Sequence, residues 1–175
     1  ITSTDMIGKV ASKPVLNEII NWGTNSKIVR KVIDKSLGIH EQAKLPRYQK
    51  QTAKGQLEGL DHESDTSAYD QLKGSNGSVA VFSTCYCNYN DSSILESLVK
   101  VLKHNGVTPD FLEREHCCGM PKLELGDLKS VSRLKDFNIP ILYEAAQRGL
   151  KIMSPVPSCV LMFKQELPLM FPEDE

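Results

Sequence analysis

The sequence predicts an α/β fold: a small, largely parallel sheet with flanking helices, preceded by an amphipathic helical segment. Three observations predict it. From residue 78 onward short apolar runs alternate with longer stretches of helical period, and such alternation builds layered parallel sheets. Composition is that of an ordinary globular chain, with 40% hydrophobic and 25% charged residues. The 175 residues allow one sizeable core plus attachments, and no apolar run approaches the length a bilayer span needs.

The first elements read as helices. In "KPVLNEIINW", Pro14 suits a first helical position, and Val15, Leu16, Ile19 and Ile20 recur at helical spacing. In "NSKIVRKVIDKSLG", Ile28, Val29, Val32 and Ile33 form a second stripe stopped by Gly38. Lys27, Arg30, Lys31 and Lys35 surround that stripe, a pattern suited to a membrane surface or an acidic partner, or to lysines that simply face water. "HEQAKLPRYQKQTAKGQ" has neither period and is expected to be extended and irregular.

From residue 78 the rhythm changes. "GSVAVFS" is a buried strand, followed by the helix of "NDSSILESLVKVLKHNG", which Asp91 caps and Gly106 stops; Ile94, Leu95, Leu98, Val99 and Leu102 form its inner face. "VTPDFLE" is a second strand. "LGDLKSVSRLKDFNIPILYEAAQRG" gives one helix broken near Pro140, or two in series, with Glu124 and Asp127 marking a helix start. "LKIMSP" is a third strand and "SCVLMFKQEL" a final helix.

A net charge of −1 conceals an asymmetry. Residues 1–57 hold ten Lys or Arg against four acids, whereas the remainder is acidic. The stretch "EGLDHESDTSAYD" has five acids and no Lys or Arg. Three regions are therefore expected: a basic helical and extended connecting segment over 1–57, an acidic polar linker over 58–77, and a cysteine-rich α/β domain over 78–175. The chain starts at Ile1 rather than Met, which suggests a piece of a longer polypeptide.

Cysteine placement carries the chemistry. The five are Cys85, Cys87, Cys117, Cys118 and Cys159, an odd number behind no apolar leader, as suits a reducing compartment and thiolates kept for metal or redox work. Adjacent Cys117 and Cys118 could bridge each other only through a strained ring. Every cysteine follows the carboxyl end of an expected strand, and in an open parallel sheet those ends share one edge. Three loops distant in sequence can thus bring four or five sulfurs together. Cys159 stands at a helix start, where backbone N–H groups favour a thiolate, and Gly119 permits conformations or a close approach that a side chain would obstruct. His116 could hydrogen-bond a metal-bound sulfur. Cys87 has no counterpart in this pattern and reads equally as a buried small hydrophobe.

"STCYCNYND", "HCCGMP" and "VPSCVLM" closely resemble the cysteine-rich CCG-domain family, typified by the B-subunit of heterodisulfide reductase. That family includes iron-sulfur subunits serving glycerol-3-phosphate, glycolate and lactate oxidation. The spacing is specific: 31 residues separate Cys85 from Cys117, and 40 separate Cys118 from Cys159. The resemblance implies an electron-transfer component rather than a stand-alone catalyst. It would be cytoplasmic or peripheral on the membrane face, taking electrons from a flavoprotein dehydrogenase toward membrane quinone. Cys85, Cys117, Cys118 and Cys159 fall on motif positions for an iron-sulfur cluster, flanked by Gly119 and His116. Five cysteines bind a non-cubane cluster in the heterodisulfide reductase branch, but here the fifth position holds Met162, a far weaker ligand. Four thiolates suffice for [4Fe-4S], the leading expectation, or for [2Fe-2S]. Cys87 is a candidate replacement from the other side of the motif. Complete subunits of this kind also carry a ferredoxin-like domain and a second CCG domain.

Two other classes remain open: a structural zinc module built on the same four thiolates, and a thiol oxidoreductase acting through Cys85, Cys87 or the adjacent pair. The sequence has no Gly-rich phosphate loop, no nucleotide fingerprint and no nucleic-acid motif.

Overall fold

The computed structural model describes residues 4–60, 77–112 and 114–174. Strand β1 (Ser78–Val81) is central in a three-stranded sheet, with β2 (Thr108–Phe111) on one side and β3 (Lys151–Met153) on the other. Both pairings are parallel, Val79 standing opposite Pro109 and Lys151. Pro109 has no N–H to give a ladder and accordingly lies on an edge strand. Alternation along the central strand divides the core in two. Val79 and Val81 enter one cluster, and Ala80 and Phe82 enter the other.

Helices α1 (Thr4–Ala11), α2 (Leu16–Asn25) and α3 (Lys27–Leu37) precede an irregular segment, and α4 (Ala53–Leu60) follows it. Neither α1 nor α4 is expected from the sequence. Gly8 lets α1 lie against Tyr89, where an added Cβ would be 2.5 Å from Tyr89 Cδ2. With Gly55 and Gly59, α4 has poor helix propensity. Packing holds it instead, because Ala53 and Leu57 lie one turn apart and both enter the Val79–Val81 cluster. Residues 61–76, most of the expected acidic linker, lie outside the described residues.

In α2 and α3 it is polar side chains that face the protein. Asn17 Nδ2 donates to the Tyr48 carbonyl at 2.9 Å, and Asn21 donates to the same carbonyl at 2.7 Å while accepting from the Tyr48 N–H at 2.9 Å. Arg30 is not among the solvent-facing cations, being only 5% exposed. Its guanidinium donates to the carbonyls of Glu41 (2.9 Å), His40 (2.8 Å) and Ala43 (2.5 Å), because a rigid fork of donors can satisfy several loop carbonyls at once. Part of each apolar stripe points outward: Ile28 is 78% and Val32 60% exposed, as is Trp22 at 71%, while Ile20, Val29 and Ile33 are half-buried.

The later helices largely follow the sequence. After the five-residue α5 (Cys85–Tyr89), α6 (Ser92–His104) begins at Asp91, whose carboxylate accepts from the Ser93 N–H at 3.2 Å. It buries Leu95, Val99 and Leu102 but leaves Ile94, expected on the inner face, exposed. The short α7 (Met120–Leu123) leads to α8 (Leu128–Gln147), capped by Asp127 through the Ser130 N–H at 3.1 Å. Helix α8 runs unbroken through Pro140, correcting the expected break. Val131, Asn138, Leu142 and Ala145 on both sides of the proline are buried, so packing holds the helix across the missing N–H. After β3, α9 (Pro157–Leu161) passes through a π-helical turn (Met162–Glu166) into α10 (Leu167–Met170). There Leu167 N–H bonds the Met162 carbonyl five residues back, next to Pro168, which has no N–H to give. Among the described residues no helix is long and apolar enough to cross a membrane.

Candidate metal centre

All three cysteine-bearing loops leave the carboxyl ends of the strands, as the alternation predicts. The first is tied to β3 by Phe82 N–H donating to the Met153 carbonyl at 2.8 Å. It then passes through Thr84, a non-glycine residue at φ 68°, whose hydroxyl accepts the Cys87 N–H at 3.3 Å and caps α5. The second loop follows β2 and ends at Gly119, with residues 114–119 described, and the third runs from Ser154 into α9.

These loops bring four cysteines into successive contact. Cys85 Sγ lies 3.8 Å from Cys117 Sγ, and the Cys118 thiol is hydrogen-bonded to both Cys117 and Cys159. Hydrogen bonding to those two neighbours, and then burial, pushes the Cys118 thiol up from its ordinary pKa. Cys117, Cys118 and Cys159 are buried, Cys85 is partly exposed, and none forms a disulfide. Among the described residues no three His, Cys, Asp or Glu side chains are gathered to hold a single ion. As soft donors at one sheet edge, the four fit a centre containing several metal atoms.

Cys87 lies elsewhere. It packs with Ala53, Leu57, Val81 and Leu95, on the sheet face opposite the cluster that contains Cys118 and Cys159. Burial raises its pKa, as for a small hydrophobic core residue. Met162 is fully buried beside Cys118 and Cys159. Its Cε lies 3.3 Å from where a Cβ on Gly119 would stand, and Gly119 has φ 100°. Both expected roles of that glycine, unusual backbone conformation and close approach, are therefore present.

Buried polar groups clamp the adjacent pair. Asn138 Oδ1 accepts from the His116 N–H at 2.9 Å, and its Nδ2 donates to the Cys117 carbonyl at 3.0 Å. The His116 ring stacks on Phe137, with centroids 3.7 Å apart. Glu115 accepts from the Ser83 N–H through both oxygens, at 3.1 and 3.0 Å, and pairs with Lys54 at 3.0 Å. Burial raises the Glu115 pKa against the opposing pull of Lys54 and Ser83. A cleft of about 20 Å³, bounded by Lys9, Thr84, Cys85, His116 and Cys117, opens beside this group.

Sequence reasoning missed Asn138, Glu115 and Lys54. The signal for Asn138 is a polar residue on the inward side of "FNIPIL". For Glu115 and Lys54, the partners are too far apart in sequence for any local signal.

Residues 79–164 match the CCG cysteine-rich domain family. Over 169 residues the chain is 27% identical to the C-subunit of anaerobic glycerol-3-phosphate dehydrogenase of Escherichia coli (strain K12), covering 96% of this chain and 40% of that protein. Over 96 residues it is 31% identical to lactate utilization protein A of Bacillus licheniformis, covering 55% of this chain and 38% of that protein. The chain thus spans well under half the length of these curated relatives. No solved structure matches it. All three strands and all five cysteines fall within or at the border of the matched residues. The chain carries a CCG cysteine-rich domain over residues 79–164 and is distantly homologous to the C-subunit of anaerobic glycerol-3-phosphate dehydrogenase and to lactate utilization protein A.

Proposed function

We propose that this chain is an iron-sulfur electron-transfer component of an oxidoreductase complex, with Cys85, Cys117, Cys118 and Cys159 as the metal ligands. The mutual contact of four cysteines from three loops at one sheet edge carries the reading. Four thiolates are the ligand set of a [4Fe-4S] cluster, and the match of residues 79–164 to the CCG cysteine-rich domain favours that centre over a single zinc ion. The cluster would supply one-electron transfer. The chain's own residues hold the thiols, exclude water through Phe82, Leu112 and Val131, and open one side through the cleft at His116. Gly119 lets the backbone turn away between the adjacent thiols and α7. Cys87 and Met162 act as core residues in this reading.

The name of the Escherichia coli relative, one subunit of a dehydrogenase, supports a dehydrogenase partner, which we take to be a flavoprotein. The exposed apolar residues of α1–α3, with Lys27, Lys31 and Lys35 among them, support docking peripherally on the cytoplasmic membrane face, and the family resemblance suggests quinone or another acceptor.

Anaerobic reconstitution tests the cluster. Iron and acid-labile sulfide should bind with visible absorption. Cys117→Ser or Cys118→Ser should bleach it, and Cys87→Ser should leave it. Zinc in place of iron, or colour that survives the double Cys117/Cys118 replacement, would overturn the assignment. Docking can be read separately from Trp22, the single tryptophan of the chain. Its emission should shift to the blue on anionic vesicles at low salt and return as salt rises. If no shift occurs, the membrane is not the docking surface.

A further inference from the structure

We propose that Glu115 is a positioning residue that sets the spacing of the Cys85 and Cys117 thiols. Ser83 stands two residues before Cys85, and Glu115 two residues before Cys117. Both carboxylate oxygens receive the Ser83 N–H, so one side chain ties the loop after β1 to the loop after β2 at equivalent places. The Glu115 side chain is only 8% exposed. A carboxylate so buried is retained only with a partner, and Lys54, reaching across from α4, supplies it at 3.0 Å while also donating to the Leu112 carbonyl.

What lies between the tie and the thiol supports the same role. Thr84, at φ 68° and ψ 150°, holds a conformation that costs a non-glycine residue energy and persists only where its surroundings over-determine it. Ser83, pinned through its N–H, is the residue immediately before it. On the other loop Asn138 fixes the Cys117 carbonyl. Anchored from both sides, the two sulfurs meet at 3.8 Å. The role of this spacing in holding a cluster rests on the proposed function; the spacing itself does not.

Two double variants isolate the tie. Glu115→Gln/Lys54→Met removes the charges and keeps an acceptor for Ser83, whereas Glu115→Leu/Lys54→Met removes the acceptor as well. In the metal-free full chain, diamide takes two electrons and two protons from a thiol pair, forming a disulfide and becoming the hydrazine. Peptide mapping then measures the rate of Cys85–Cys117 closure. Misplacement on the order of 1 Å can cost ~100-fold in rate, so the Leu variant should close this disulfide about tenfold more slowly or worse. The Gln variant should keep most of the parent rate. After reconstitution, the Leu variant should show an altered absorption spectrum and the Gln variant the parent one. Equal closure rates in the two variants, or loss of the far-UV circular dichroism of either, would overturn the proposal, since the pair would then serve stability alone. Failure of the parent chain to bind iron would instead sink the cluster reading and leave the disulfide result standing.

Discussion

Helices α2 and α6 are both amphipathic, yet they turn their apolar faces in opposite directions. Helix α6 buries Leu95, Val99 and Leu102 against the sheet. Helix α2 leaves Leu16, Ile19 and Trp22 exposed and presents Asn17 and Asn21 to its own chain. Helix α3 does likewise, with Arg30 inward and Ile28 and Val32 outward. Hydrophobic periodicity marks a face that is to be covered, without saying by what. In the sheet region the cover is intramolecular. In the basic region Leu16, Ile19, Trp22, Ile28 and Val32 stay exposed, and the proposed docking surface would be their cover.

Truncating the two faces should give the largest contrast. Leu95→Ala, in a fully buried position, should cost about 2–5 kcal/mol in urea unfolding. Ile28→Ala should stay within about 0.5 kcal/mol while weakening docking measured by Trp22 emission. A large loss of stability at Ile28 would break the comparison, because the stripe would then be covered in the folded chain.

Smaller effects sharpen it. Arg30→Ala should cost about 2 kcal/mol, since charged hydrogen bonds to three loop carbonyls are lost, and Lys31→Ala almost nothing. Within the sheet region, Asp91→Ala should cost about 1 kcal/mol of stability through the lost helix cap. The smallest effect is a pH dependence at Asp127. Hydrogen bonding from Ser130 holds its carboxyl below the usual range. A lowered folded pKa means a contribution fully present above the unfolded value of about 3.9 and lost as pH falls through the folded one. The melting temperatures of the wild type and Asp127→Ala should therefore converge in acid. A gap that does not change with pH would assign the cap to Ser130 geometry rather than to charge.

The sequence made the sheet region legible because its signals are local. Three strand runs, Asp91 at a cap, Gly106 at a helix end, and cysteines after each strand all correspond to the structure. So does the convergence of sulfurs, because parallel strands leave their carboxyl ends on one edge. Helices α5 and α7, at five and four residues, are too short to show a period. Helix α4 has too much glycine, and depends on Ala53 and Leu57 finding a core built by residues beyond the linker. Arg30 was illegible for a different reason: a cation near an apolar stripe looks solvent-facing until the loop carbonyls it satisfies are in place. Lys54, Glu115 and Asn138 likewise gain meaning only from partners brought close by the fold.

The strand order also bears on how the site is assembled. β1 pairs with both neighbours, but β3 lies more than twice as far from it along the chain as β2 does. Closing the longer loop carries the greater entropic cost and slows the pairing that depends on it. During folding, β1 and β2 can therefore associate while β3 is still absent, with Cys85, Cys117 and Cys118 already on their loops and one edge of β1 unpaired. Cys159 arrives only with β3. The time at which the site becomes complete is thus set by the slowest strand, and pulse-labelling of thiols during refolding should find Cys159 the last to be protected.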